Sequence, residues 1–206
     1  MTSRGVVYVD AGERYDLVLP ANWVIHHARS WGGIAAGMRW CLKRYPKATR
    51  YGWLADDTFP RTFGWDKLLE RAAGSWYYAQ ARDMWFSENP PHRYDRQDWP
   101  EYLRTGAQLS AGLCWGAALI RAVGWWALPG CAQGGIDAAW SQIIAPLGLC
   151  RYLPDVVVEH KTWHLNKRPK DLTDNGKHID QDVWRYRAWE NSPSYHRVMR
   201  RLEAAL

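Results

Sequence analysis

An aromatic and aliphatic run, Tyr51 to Ala55, stops on two adjacent carboxylates, Asp56 and Asp57, and this junction constrains the fold more than any other segment. The run reads as a buried strand. Thr58 and Pro60 are expected to end it, because proline cannot donate to a ladder. In an open α/β sheet, ligands bind beyond the carboxyl ends of strands. Two acids placed there can hold a divalent cation through hard oxygen ligands, with positions left for substrate phosphates. The plainer alternative is a turn in which one Asp caps the following backbone.

The remaining periodicities agree with a sheet. Gly5 to Val9 is a β-branched run tipped by Asp10, and Trp23 to His26 reads as an edge strand. Ile34, Met38, Cys41, Leu42 and Tyr45 fall on one helical face, and Pro46 ends that helix. Trp65 to Ala73 reads as a helix and Trp76 to Ala81 as a strand, followed by a long aromatic and polar loop over 83–105. Leu113 to Val123 is a strand end passing into a helix, and Asp137 to Ile144 a helix that Asp137 could cap. Tyr152 to Val158 is a last strand, ending at Glu159 and His160. The C-terminal helix starts with Ser192 as N-cap and Pro193 in the first turn, and Tyr195, Val198, Met199, Leu202 and Leu206 share its apolar face. Strands alternating with helices imply an α/β fold with a mixed sheet.

At 206 residues the chain is most simply one domain with a real core. Fifteen tryptophans fill that core, with some left to line a groove. A net charge of +6 favours an anionic partner such as nucleotide phosphates or nucleic acid. Cys41, Cys114, Cys131 and Cys150 lie far apart, which excludes a Cys-x-x-Cys zinc or redox motif and suggests buried thiols in a reducing compartment. Arg121 and several glycines interrupt the longest apolar stretch, Ala111 to Leu128, so no membrane span is expected. Met1 to Arg4 leads straight into the first strand without a secretory signal. The expected location is cytoplasmic.

Four sets of acid or imidazole groups sit at strand ends or helix starts: Asp10, Asp56 with Asp57, Asp137 and His160. Asp57 and His160 together make a carboxylate-plus-imidazole metal site whose other positions a diphosphate could fill. Read singly, each has an ordinary role. Asp10 can cap a turn, Asp137 a helix, and His160 can be a strand-end histidine. His164, four residues further on, is a weaker second candidate.

Taken in order, these segments resemble GT-A type glycosyltransferases that use nucleotide sugars, and most closely small, phage-associated, family 2-like members. Trp53-Leu54-Ala55-Asp56-Asp57-Thr58-Phe59-Pro60 with Gly64-Trp65-Asp66 resembles the metal motif. Val7-Tyr8-Val9-Asp10, with Tyr15, resembles the strand and acid at the nucleotide. Gly112 to Pro129 followed by Gly134 to Trp140 resembles the acceptor-side strand and the helix with the catalytic acid. Tyr152 to His160, then Lys167, Lys170 and Asp171, resembles the closing strand, its metal-binding histidine and the tail over the donor. Such enzymes usually open with one more strand and a turn that grips the base. Nothing before Thr2 supplies it, so the sheet is rebuilt, base recognition is looser, or the chain is a shortened relative.

The resemblance implies a GT-A, Rossmann-like mixed sheet flanked by helices over residues 1–175, with residues 176–206 as a helical extension packed on it. It implies transfer of a sugar from a nucleoside diphosphate donor, UDP-glucose-like, to an acceptor hydroxyl with inversion. On this resemblance Asp57 and His160 would bind Mn²⁺ or Mg²⁺, Asp10, Tyr15 and Asp56 would contact the nucleotide, Lys167 or Lys170 would add positive charge at the diphosphate, and Asp137 would be the general base. Residues 84–104 interleave Trp85, Tyr94 and Trp99 with Arg93 and Arg96, a composition that suits nucleic acid through base stacking and phosphate contact. Residues 161–206 hold ten lysines and arginines against six carboxylates. The acceptor expected on these grounds is a 5-hydroxymethylated pyrimidine in phage DNA, flipped from its stack. Two alternatives stay open: transfer to a protein, glycan or small-molecule hydroxyl, and a non-catalytic nucleic-acid-binding protein on a decayed transferase fold. The expected assembly is a monomer or weak dimer.

Overall fold

Strands and helices alternate as the periodicities require, but they build two sheets. The computed structural model describes residues 5–11, 18–84, 113–161 and 177–206. Its elements are β1 (Gly5–Val9), β2 (Trp23–His27), α1 (Gly33–Arg44), β3 (Arg50–Trp53), β4 (Thr58–Pro60), α2 (Trp65–Ala73), β5 (Tyr78–Asp83), β6 (Leu113–Gly116), α3 (Ala117–Val123), α4 (Ile136–Ile144), β7 (Cys150–His160), α5 (Lys177–Glu190) and α6 (Pro193–Glu203). The main sheet has the order β3-β6-β5-β7-β4. Its central pair, β5 and β7, is parallel, and every other pairing in it is antiparallel. The chain is thus a mixed α/β protein, with six helices among the described residues. None of them is long and apolar enough to cross a membrane.

β1 does not enter that sheet. It pairs in parallel with β2 alone, and the pair leans on α1. Tyr8 lies against Gly37, where a Cβ would come within 3.0 Å of its ring, and His26 stacks on Trp40 at 4.1 Å. The expected strand Tyr51 to Ala55 is also shorter, running only from Arg50 to Trp53 at one edge of the sheet. Tyr51 is its one buried residue and donates its hydroxyl to the Tyr45 carbonyl at 2.6 Å. Thr58 and Pro60 do not terminate a strand. They form β4 at the other edge, where one side of the ladder needs no donor and proline is tolerated.

Each face of the main sheet carries a core. Ala79, Ala81, Val156 and Val158 pack against Leu69 and Ala73 of α2. The opposite core is larger and is built around tryptophan: Trp115, Trp126 and Trp140 are fully buried, with ring centroids 5.5–5.8 Å apart across Trp115. Trp140 donates its indole N–H to the Trp126 carbonyl at 2.7 Å. Val198 and Leu202 of α6 belong to this same core, whereas Leu206, expected on that apolar face, is exposed. Ser192 caps α6 as its sequence predicts, accepting from the Tyr195 amide. The four cysteines are free. Burial pushes the Cys114 thiol up to about 12 and Cys41 to about 11, which leaves them unreactive.

α5 falls within the helical extension expected over residues 176–206, although no separate helix was marked there before the one capped by Ser192, and its attachment is polar. Asp182 is fully buried and accepts from the consecutive amides of Ala132, Gln133 and Gly134 at 2.7–2.9 Å, and from Arg185 at 3.0 Å. Burial alone would raise its pKa, but these donors outweigh burial and hold the carboxyl below its ordinary value. That stability is present above the unfolded carboxyl range and lost as pH falls through the depressed folded value. Asp182→Ala orphans three amides together, so urea unfolding at pH 7 should show a loss of about 3 kcal/mol, with Asp182→Asn losing less. The gap between wild type and the alanine variant should close on acidification.

Candidate functional site

Sheet register brings a carboxylate and an imidazole together. Thr58 of β4 is paired with His160 of β7, and the Lys161 amide donates to the Asp57 carbonyl at 2.7 Å. Asp57 therefore immediately precedes the edge strand β4, beside the C-terminal tip of its antiparallel neighbour β7. Its Oδ1 lies 3.2 Å from His160 Nε2. Asp56 and Asp57 occupy the centre of a tight turn closed by the Thr58 amide on the Ala55 carbonyl. The turn expected as the plainer alternative is therefore present.

A third group joins them that sequence reasoning missed. β5 runs two residues beyond its expected end and finishes on Asp83, whose side chain is wholly buried. Asp83 Oδ2 lies 3.5 Å from His160 Nδ1. A slip in the β5–β7 register makes this possible. Ala81 is paired with Leu153, but Arg82 is paired with Val157 and Asp83 with Val158. Without the slip Asp83 would stand opposite Asp155. Thr62 pins the bulge, accepting from the Val157 amide at 2.8 Å and donating to the Asp155 carbonyl, and Arg82 donates to the Pro154 carbonyl. The only sequence signal was an acid closing a strand, the signature that had marked Asp10 and Asp57.

His160 lies between two carboxylates, one at each ring nitrogen, and is only 20% exposed. Burial pushes the imidazole pKa down, but Asp57 and Asp83 outweigh it and lift the group to about 9.

The other candidates are placed as follows. Both carboxylate oxygens of Asp10 accept backbone amides, Gly32 at 3.0 Å and Gly33 at 2.9 Å, so this acid holds the start of α1. Asp137 is exposed on the first turn of α4. It is not the N-cap: Gly135 occupies that position with a φ of 70°, and its missing side chain clears Tyr186 and Asp182. Asp56 is exposed. Tyr15, Trp85, Arg93, Tyr94, Arg96, Trp99, His164, Lys167 and Lys170 lie outside the described residues.

Set against protein families, characterised proteins and solved structures, the chain matches none.

Whether the site suits a cation can be judged on its own donors. Among the described residues no group of three or more His, Cys, Asp or Glu is arranged to hold a metal ion. Asp57 and His160 are a hard oxygen and an imidazole within 3.2 Å, the spacing of two ligands on one ion. A divalent cation on this pair would draw its other ligands from a bound phosphate and water, and the imidazole departs from the all-oxygen shell usual for Mg²⁺. A separate open groove of about 830 Å³ lies between α1 and the segment after α3, lined by Trp31, Trp125 and Trp126 with Arg39 and Lys43.

The raised imidazole pKa has a measurable consequence in metal-free protein. The stabilisation from imidazolium is fully present below the unfolded histidine value near 6.5 and disappears as pH rises through about 9. Urea unfolding in EDTA should show His160→Gln destabilised by at most about 3 kcal/mol at pH 6. The gap to wild type should narrow steadily up to pH 10. A gap independent of pH would contradict the charged pairing.

Proposed function

We propose that the chain is a metal-dependent glycosyltransferase of GT-A type, moving a sugar from a nucleoside diphosphate donor such as UDP-glucose to an acceptor hydroxyl. The observation that carries this reading is the Asp57–His160 pair at the sheet edge, two residues singled out from separate sequence motifs that lie 3.2 Å apart. Asp57 and His160 would hold Mn²⁺ or Mg²⁺. The bound cation supplies neutralisation of the charge that develops on the departing diphosphate. Asp56, exposed in the same turn, would contact the donor ribose or support the metal shell. Asp137, exposed on the first turn of α4, takes the proton from the acceptor hydroxyl as general base, an assistance typically worth about two to four powers of ten in rate. Single displacement with inversion follows from that role.

For the acceptor, the reading favours a hydroxymethylated pyrimidine in DNA. Its supports are the +6 net charge, the aromatic and arginine-rich sequence around Trp85 to Trp99, and the groove that sets Trp31 and Trp125 beside Arg39 and Lys43. A second reading, a nucleic-acid-binding protein on a decayed transferase fold, is favoured by one observation. The acid expected at the nucleotide, Asp10, is committed to the α1 amides, and its strand stands apart from the main sheet.

Thermal unfolding with a panel of UDP-sugars, with and without Mn²⁺, separates the two. A transferase should be stabilised only when nucleotide and metal are both present. Salt-sensitive DNA binding with no response to donor would establish the second reading. Incubation with hydroxymethylated DNA, donor and Mn²⁺ should add one hexose mass per modified base. Asp57→Ala should lose this turnover together with the metal-dependent thermal shift. Asp137→Asn should keep the shift and lose transfer by a factor of about 100 or more.

A further inference from the structure

His160 presents two chemically distinct nitrogens, and the fold treats them differently. Nε2 faces Asp57, in a turn that reaches the surface. Nδ1 is fully buried and makes no hydrogen bond in this geometry among the described residues; the carboxylate beside it is Asp83, itself buried on the last residue of β5, with Oδ2 3.5 Å away. A histidine that ligates a metal through one nitrogen almost always presents the other N–H to a carboxylate or carbonyl, which fixes ring orientation and raises ligand basicity. Asp83 stands where such a group belongs, and the β7 bulge held by Thr62 puts it there.

We infer that Asp83 is a positioning residue. It keeps the proton of His160 on Nδ1 and turns Nε2, with its lone pair, toward Asp57 and a shared cation. The inference rests on the proposed metal role of Asp57 and His160. It assigns to Asp83 a function separate from both, since its carboxylate faces the ring nitrogen remote from Asp57. A different arrangement would make His160 simply an imidazolium clamp between two acids. In that case both nitrogens keep protons and Asp83 has no bearing on metal binding.

The test uses the full chain with saturating UDP and follows Mn²⁺ binding through loss of the free-ion EPR signal. Asp83→Asn conserves volume while removing the charge. It should weaken Mn²⁺ about 10–100-fold, as loss of an outer-shell partner does, while the unfolding midpoint in EDTA falls less than in His160→Gln, because Asp57 still pairs with the ring. Mn²⁺ affinity within twofold of wild type in Asp83→Asn, with Asp57→Asn impaired, would overturn the positioning role and leave the metal reading standing. No Mn²⁺ binding by wild type would remove the metal reading and this inference together. A second measurement needs no variant: imidazole ¹⁵N spectra of wild type with Mg²⁺ and UDP. A proton on Nδ1 and a ligand-type shift at Nε2 support the assignment, and the reverse tautomer or a doubly protonated ring refutes it.

Discussion

The parallel pairing of β5 with β7 is the constraint on which the rest of the site depends. Parallel strands end on the same side of a sheet, so the tips of both, Asp83 and His160, emerge together. Parallel pairs are usually buried, and here α2 covers one face through Ala79, Ala81, Val156 and Val158, while on the other face the tryptophan core meets the start of the pair at Tyr78 and Cys150. The strand tips inherit that burial. A histidine and two acids brought into it must satisfy one another, because an unpaired charge in such surroundings is costly. The carboxylates beside the two ring nitrogens, at 3.2 and 3.5 Å, account for the raised imidazole pKa.

Polar contacts do comparable work elsewhere. Asp10 ties the β1–β2 pair to α1, and Asp182 ties α5 to the loop before α4. Both acids bind consecutive or adjacent backbone amides, the geometry by which proteins also grip phosphates. At the Asp182 junction the loop so fixed is the one leading into the turn that carries Asp137. The catalytic base proposed above would therefore stand on a segment whose conformation depends on a buried carboxylate of another helix.

Much of the chain was legible residue by residue. α2 and α6, with the Ser192 cap, follow the sequence periodicity closely, since amphipathic faces and caps are local properties. β3 and β5 were found but misplaced by about two residues, and Asp83 was lost into a loop for that reason. Thr58 to Pro60 were read as a stop because proline blocks an interior strand. Edge position, which relaxes that rule, is a fact about neighbours and has no local signature. The separation of β1 from the main sheet was likewise invisible: a β-branched run ending in an acid reads the same in either sheet.

Local sequence determined most helices, the approximate place of the longer strands, and which helix faces are apolar; these follow from side-chain period and backbone chemistry alone. Tertiary structure decided which strand tips meet. Asp57 reaches His160 through the edge pairing of β4 with β7, and Asp83 reaches it only through a register slip held by Thr62. Pairing partner and register are settled by contacts between residues far apart in the chain, where the cost of closing the intervening loop and the gain from burying both faces are balanced over the whole molecule.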